Sequence, residues 1–161
     1  MNVDQILEAM NRHQVAYLLI GGMNFLLRHT PTLTYDIDLW IEDQKDNLQR
    51  CEKALGSLHA EWGKSDKDWG SVSRLSSGWL TTQPVFCLTS PYGAIDIFRA
   101  VKGLEDWQAS FQKTLLEKTG SGVVYRGLAD EDMLQCQLSL NKQEQKLDRI
   151  ELLRKALKDE K

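Results

Sequence analysis

Two aspartates separated by a single residue constrain this chain more than any other feature. Asp36 and Asp38 lie inside an apolar run, residues 34–41, that follows the glycine pair Gly21-Gly22. Side chains alternate between the two faces of a β-strand, so a strand over 34–41 places both carboxylates on one face and its apolar residues on the other. Adjacent carboxylates repel each other, and a bound divalent cation removes that repulsion. The run therefore predicts a strand with an acidic face that is suited to a metal.

A later apolar alternation carries a third aspartate. Residues 85–89 and 94–100 are predicted to form two strands of a hairpin, because the Ser-Pro-Tyr-Gly sequence between them is typical of a tight turn. Asp96 lies in the second of these strands. If that strand lies beside 34–41, all three carboxylates converge on one face of the sheet. Three oxygen ligands of this kind favour Mg²⁺ or Mn²⁺ over zinc.

The glycine pair predicts an anion-binding turn. An apolar run of strand length, Val15 to Ile20, ends at Gly21-Gly22, and residues 23–29 are helical in pattern, with Pro31 expected to end the helix. Glycine lets the backbone approach a phosphate closely, and the first turn of a helix offers N–H groups without intrahelical partners. An anion-binding turn beside an acidic strand suits a complex of a metal ion with a nucleoside triphosphate.

The remaining sequence completes an α+β pattern. The segment from Trp62 to Trp79 shows no firm period, so it is predicted to be a loop with one short strand at 72–75; its tryptophans either anchor the loop to the core or stack on a substrate base. Asp130 is the expected N-cap of one C-terminal helix, and residues 123–125 are expected to form a short strand. Amphipathic patterns predict the other helices at 3–12, 45–60, 104–118, 131–140 and 143–157. We therefore expect a small mixed β-sheet with helices packed mainly on one face and short C-terminal helices.

Composition narrows the classes of partner. The 161 residues carry a net charge of −3, so a broad nucleic-acid-binding surface is not expected. The longest apolar run is broken by glycines and is too short to span a membrane. The three cysteines are widely spaced and lack zinc-ligand spacing, which indicates free thiols and a cytoplasmic protein.

At this point the residues resemble a known family. An apolar strand ending in Gly-Gly, followed by Thr-x-Asp-Ile-Asp-Leu and a later strand aspartate, is similar to the nucleotidyltransferase superfamily of the DNA polymerase beta type. The similarity covers roughly residues 3–100, and 104–160 is a looser match as a C-terminal helical part of one domain spanning 1–161. Most similar in character are small bacterial members of the minimal, abortive-infection toxin and antibiotic-modifying types.

The resemblance implies the catalytic residues. In that family the paired aspartates and the later strand aspartate bind metal, which assigns Asp36, Asp38 and Asp96 as metal ligands and catalytic residues. The third carboxylate also acts as a base toward the acceptor hydroxyl, a role that corresponds to Asp96.

The resemblance also implies nucleotide-binding residues. The glycine pair contacts the triphosphate, and Thr34 corresponds to a threonine often found two residues before the first aspartate. Many relatives carry an arginine before that threonine. Here Thr32-Leu33 stands instead, so the contact is either missing or supplied by Arg28. Lys102 follows the third carboxylate strand and either meets a phosphate or is simply solvated.

The expected function is Mg²⁺-dependent transfer of a nucleoside monophosphate from an NTP to an acceptor hydroxyl, with release of pyrophosphate. The acceptor is left open as a small hydroxylated molecule, a protein or an RNA end. The alternative is an interaction module with this fold, of the toxin–antitoxin type, with weak or no catalysis and a protein partner. A homodimer is also compatible with the sequence.

Overall fold

The computed structural model describes residues 1–30 and 32–160, so the predicted helix end at Pro31 lies outside the described residues. None of the helices in the described ranges is both long and apolar enough to cross a bilayer. The helices are α1 (Val3–Arg12), α2 (Gly21–Arg28), α3 (Lys45–Ser57), α4 (Trp107–Gln112), α5 (Asp130–Leu138) and α6 (Leu147–Asp159). The strands are β1 (Tyr17–Ile20), β2 (Asp36–Ile41), β3 (Glu61–Trp62), β4 (Gly70–Ser71), β5 (Val85–Leu88), β6 (Ala94–Phe98), β7 (Leu116–Lys118) and β8 (Val124–Arg126).

A four-stranded mixed sheet forms the centre of the molecule. Its strand order is β1-β2-β6-β5, with β2 and β6 parallel and both outer pairs antiparallel. The predicted hairpin of β5 and β6 is confirmed, and the Ser90 hydroxyl stabilises its turn by donating to the Gly93 carbonyl at 2.7 Å. The small mixed sheet with its helices confirms the predicted α+β fold class.

The main core covers one face of this sheet. Ile37, Leu39 and Ile41 of β2 are fully buried there, in one cluster with residues of α1 and α3. The alternate residues of β2, which include Asp36 and Asp38, face the other side. Strand periodicity therefore separates the apolar and acidic faces as the sequence predicts.

The tryptophans at the two ends of the 62–79 segment lie in this main core. The rings of Trp62 and Trp79 stack with centroids 5.9 Å apart, and both contact Phe86 edge-on. Glu52 of α3 accepts hydrogen bonds from the backbone N–H groups of Gly78 and Leu80. These contacts anchor the long loop to the apolar side of the sheet, away from the aspartates.

The short strand predicted at residues 72–75 is wrong. Residues Val72–Arg74 form a 3₁₀ turn, which begins where the Ser71 hydroxyl accepts a hydrogen bond from the backbone N–H of Ser73. Only Val72 of this turn is buried. The local side chain to backbone bond favours a turn over an extended strand. The short strand of this loop is instead β4, which pairs with β3.

The predicted helix over residues 104–118 is also wrong in its second half. Helix α4 ends at Gln112, and β7 follows and pairs with β8 in an antiparallel hairpin. The Thr114 hydroxyl donates to the Phe111 carbonyl at 2.6 Å, which satisfies a carbonyl at the helix end. Pairing with β8 provides hydrogen-bond partners for the backbone of residues 116–118. Strand β8 lies close to the strand predicted at 123–125. The C-terminal part is therefore not wholly helical.

Asp130 is not the N-cap that the sequence predicts. The N-cap of α5 is Ala129, and Asp130 is the first helical residue, with its carboxylate buried against Arg28 and His29. The final helix likewise begins at Leu147 rather than Gln143. The Glu144 N–H donates to the Asn141 carbonyl at 2.9 Å, so the residues before Leu147 form a separate turn rather than the start of this helix.

The second face of the sheet packs against the C-terminal helices. Trp40 of β2 is buried there with Leu128, Met133 and Leu153, and the Trp107 indole N–H donates to the Trp40 carbonyl at 3.0 Å. Asp36 and Asp38 share this face but lie toward the start of β2. The C-terminal helices therefore pack against the sheet beside the end of β2 that carries the two aspartates.

Candidate metal and nucleotide site

Three aspartates converge on the second face of the sheet. In the parallel pairing of β2 with β6, Asp38 lies directly opposite Asp96, and Asp36 lies opposite Ala94. One carboxylate oxygen from each of Asp36, Asp38 and Asp96 lies within 4.8 Å of the other two. The structure thus brings together the three carboxylates that the sequence singles out.

The electrostatics of this cluster favour a cation. Burial raises the pKa of Asp38 to about 8, helped by the charges of Asp36 and Asp96. Burial also raises the pKa of Asp96 to about 6, with Asp36 adding to the rise. Oδ1 of Asp38 is buried and accepts no hydrogen bond from any described residue. Three close carboxylates with an unpartnered oxygen fit a hard divalent ion such as Mg²⁺ or Mn²⁺.

The glycine turn lies directly against this cluster. Helix α2 begins at Gly21, two residues before the predicted start, and its N-cap Ile20 has no side chain that can cap the first turn. Gly21 has φ +72°, and a Cβ at this position would collide with the Asp38 carboxylate. The helix N-terminus, with its free N–H groups and positive dipole end, therefore adjoins the carboxylates.

Thr34 connects the glycine turn to the acidic strand. Its hydroxyl donates to the Asp36 carbonyl at 3.1 Å. A Cβ added to Gly22 would lie 3.1 Å from the same hydroxyl oxygen, so the threonine packs closely on the turn. Thr34 is therefore placed to fix the distance between Gly22 and Asp36.

Arg149 is a cation of this site that sequence reasoning missed. Its Nη2 donates to the Thr32 hydroxyl at 3.3 Å and lies 3.3 Å from the position of a Cβ on Gly22. Its guanidinium lies over the Phe25 ring, 5.3 Å from the centroid. It also opposes the rise in the pKa of Asp38 that burial causes.

A weak sequence signal for Arg149 existed. The residue precedes buried Ile150 and stands four positions before buried Leu153, so helical spacing puts it at the margin of the packed face of α6. A cation at that margin faces protein as well as solvent. Which part of the protein it faces depends on how α6 docks.

Of the two other predicted phosphate contacts, Arg28 lies away from the glycine turn. Arg28 is at the far end of α2, about 10 Å from Gly21 along the helix axis, and its guanidinium pairs with Asp130 at 3.2 Å and Glu117 at 3.8 Å. Lys102 is exposed in a turn between Val101 and Leu104. The structure does not bring Arg28 to the glycine turn.

Cys87 is a neighbour of the carboxylates that the sequence did not indicate. It lies opposite Asp96 in the pairing of β5 with β6, and it is exposed. Burial and the neighbouring carboxylates raise the pKa of the Cys87 thiol. The thiol therefore stays protonated at neutral pH, which argues against a nucleophilic role.

A cavity of about 120 Å³ opens beside the glycine turn. Its apolar wall is formed by residues from α2, α5, α6 and the segment before α5, among them Phe25, Leu128, Met133 and Leu153. Gly21 and Arg149 also line it, so the cavity is continuous with the turn. A ligand that holds its anionic part at Gly21 can place an apolar part here.

Comparison with solved structures identifies the fold. No protein-family model matches the sequence, and no curated protein matches it either. A Thermotoga maritima protein assigned as a nucleotidyltransferase, TM1012, aligns with a TM-score of 0.55 at 18% identity over 96% of this chain and 89% of its own. ANT(2'')-Ia in complex with adenylyl-2''-tobramycin aligns with a TM-score of 0.58 at 14% identity over 96% and 87%. The solution structure of the same antibiotic-resistance factor gives 0.51 at 14% identity over 98% and 90%. The chain has the nucleotidyltransferase fold.

Proposed function

We propose that this protein transfers a nucleoside monophosphate from an NTP to an acceptor hydroxyl and releases pyrophosphate. The observation that carries the proposal is the convergence of Asp36, Asp38 and Asp96 directly beside the glycine turn. An acidic cluster alone is suited to many cations. A carboxylate cluster that adjoins an anion-binding helix terminus is suited to a metal-bound polyphosphate.

Binding of the triphosphate is assigned to groups around the N-terminus of α2. Within the described residues no side chain caps the N–H groups at the start of α2, so those of Gly21 and Gly22 are assigned to the phosphate oxygens, and Thr34 holds the turn against β2. Arg149 supplies the nearby positive charge, a role that the sequence had left to Arg28. Lys102 stays in the proposal as an outer contact, because it follows Val101 in the cavity wall.

The metal ligands are Asp36, Asp38 and Asp96. Bound Mg²⁺ would neutralise the charge on the phosphates and on the reacting oxygens. The acceptor oxygen forms its bond to the α-phosphorus, the bond to the bridging oxygen breaks, and pyrophosphate leaves with that electron pair. Asp96 takes the proton of the acceptor hydroxyl. The protein accelerates this reaction by positioning and by electrostatic stabilisation.

For the acceptor, we favour a small hydroxylated molecule. One protein of the same fold was solved with adenylyl-2''-tobramycin, a nucleotide-modified small molecule, and the alignment covers most of both chains. That identity is only 14%, so the support concerns the class of acceptor and not tobramycin itself.

The direct test is transfer of label from α-³²P-labelled NTPs, with Mg²⁺, to a panel of aminoglycosides, other polyols, RNA ends and the protein itself. We expect labelled product from the wild type. Asp96→Asn should lower the rate by at least about 10²–10⁴-fold, because the acceptor hydroxyl loses its base and the metal site loses a carboxylate ligand.

Persistent absence of transfer to every acceptor, despite Mg²⁺–NTP binding, would contradict the proposal. The remaining candidate would then be the interaction module, whose toxin–antitoxin role is a separate hypothesis. Size-exclusion chromatography with light scattering would show whether a homodimer forms.

A further inference from the structure

The polar groups that line the cavity beside the glycine turn are mainly hydrogen-bond donors. Arg149 can only donate, and Gln137 and Cys136 are the remaining polar side chains of the lining. Burial raises the pKa of Cys136 to about 11, so its thiol keeps its proton. Among the side chains of the lining, a ligand therefore meets donors rather than strong acceptors.

Gln137 is oriented so that its amide N–H₂ group is free. Its Oε1 accepts a hydrogen bond from the backbone N–H of Lys146 at 2.8 Å. A backbone N–H can only donate, so this contact fixes which end of the carboxamide is oxygen. The nitrogen of Gln137 has no hydrogen-bond partner within the described residues. Gln137, which belongs to the cavity lining, therefore has two donor hydrogens available for a ligand.

We place the base of the bound nucleotide in this cavity. Gly21 and Arg149 belong both to its lining and to the proposed triphosphate site. Its other walls are apolar, which suits the faces of an aromatic ring. This step rests on the proposed function, since it needs the triphosphate at Gly21.

We infer that Gln137 is a specificity-determining residue that selects nucleotides whose base carries a carbonyl oxygen at purine C6 or pyrimidine C4, guanine first and then uracil, over adenine and cytosine. Guanine offers O6 and N7 as two adjacent acceptors, and uracil offers O4. Adenine and cytosine carry an amino group at the equivalent position, which would place donor against donor. Two donors that face each other without an acceptor weaken binding even at the half-buried Gln137, whereas the carbonyl bases accept from it.

The test measures binding of α,β-methylene analogues of GTP, ITP, UTP, ATP and CTP by calorimetry with Mg²⁺. For the wild type we expect GTP and ITP analogues to bind at least about fivefold more tightly than the ATP analogue. ITP keeps O6 and lacks the 2-amino group, so equal binding of ITP and GTP would assign the selectivity to the carbonyl edge. This comparison needs no variant.

Gln137→Glu separates base selection from the structural role of the side chain. Glutamate keeps an oxygen for the Lys146 N–H and replaces the free donor with an acceptor, so the preference for GTP over ATP should vanish or reverse. Gln135→Glu is the matched control, because Gln135 lies exposed on the same helix and outside the cavity lining. It should leave the preference unchanged.

The outcomes distinguish this inference from the proposed function. Equal binding of all five analogues, or a GTP preference that Gln137→Glu leaves intact, would overturn the inference alone. Failure of every analogue and of Mg²⁺–tripolyphosphate to bind would overturn the proposed function and the inference with it.

Discussion

Asp38 and Asp96 lie directly opposite each other in the parallel pairing of β2 and β6, and Asp38 also lies against the glycine turn. The first relationship places two carboxylates close together, a repulsion that a bound cation would remove. The second places the proposed phosphate-binding turn beside the same carboxylates. A one-residue slip of β6 against β2 would turn Asp96 to the apolar face. The register of this single strand pair therefore determines whether the site exists.

Asp38→Asn should abolish Mg²⁺-dependent NTP binding while raising the stability of the metal-free protein. The substitution removes a ligand, and it also removes the carboxyl whose ionisation burial opposes. A gain of 1 kcal/mol corresponds to about 2–4 °C in Tm for a chain of this size. Calorimetric titration and thermal unfolding measure the two effects. Asp66→Asn is the control, because Asp66 is exposed. Equal NTP binding by Asp38→Asn and the wild type would refute the metal-site assignment.

Metal-free stability should fall as pH rises from about 5 to about 8. The raised pKa values of Asp38, about 8, and Asp96, about 6, mean that the folded state binds protons more tightly than the unfolded state. That contribution is complete below the ordinary carboxyl pKa and is lost as pH rises through the folded values. Urea unfolding with and without Mg²⁺ tests this. Mg²⁺ should stabilise the protein increasingly over the same window, and a metal-free stability that climbs from pH 5 to 8 would contradict the expectation.

Arg149→Gln should weaken NTP binding by about 10–100-fold, because a charge-assisted phosphate contact contributes roughly 1.5–3 kcal/mol. Binding of Mg²⁺ alone should change little. Arg154→Gln provides the matched control, since Arg154 is exposed on the same helix. Equal NTP affinity in both variants would remove Arg149 from the triphosphate site.

Arg28→Gln should lower stability and leave NTP affinity unchanged. The Arg28 guanidinium pairs with the buried Asp130 carboxylate, which also lies 2.8 Å from Nε2 of His29. Loss of a charged hydrogen bond to a buried carboxylate costs about 1–3 kcal/mol. Urea unfolding and NTP titration on the same sample separate the two effects. A drop in NTP affinity without a drop in stability would return the phosphate role to Arg28.

Gly21→Ala should destabilise the protein and abolish NTP binding. The backbone at Gly21 has φ +72°, where a Cβ costs about 1–2 kcal/mol, and the added methyl group would displace the Asp38 carboxylate. Gly120→Ala is the control, because a Cβ at that position meets no atom within 4 Å. If Gly21→Ala binds Mg²⁺–NTP as the wild type does, the glycine turn is not the phosphate site.

Local sequence patterns predicted the elements whose conformation is set by their own residues. The alternation around Asp36 and Asp38 reported which face each side chain occupies, and the turn before Ala94 reported the hairpin that carries Asp96. These predictions succeeded because strand periodicity and turn chemistry act over a few residues.

Tertiary structure alone decided the contacts between distant elements. It formed a strand at 116–118 because β8 offered a partner, and it buried Asp130 against Arg28 rather than at a helix cap. The packing of α6 against the rest of the protein brings Arg149 close to Gly22. This packing involves the whole C-terminal part. The sequence by itself determined the acidic strand and the glycine turn; long-range packing decided which cation stands beside them, because no local pattern encodes the position of a distant helix.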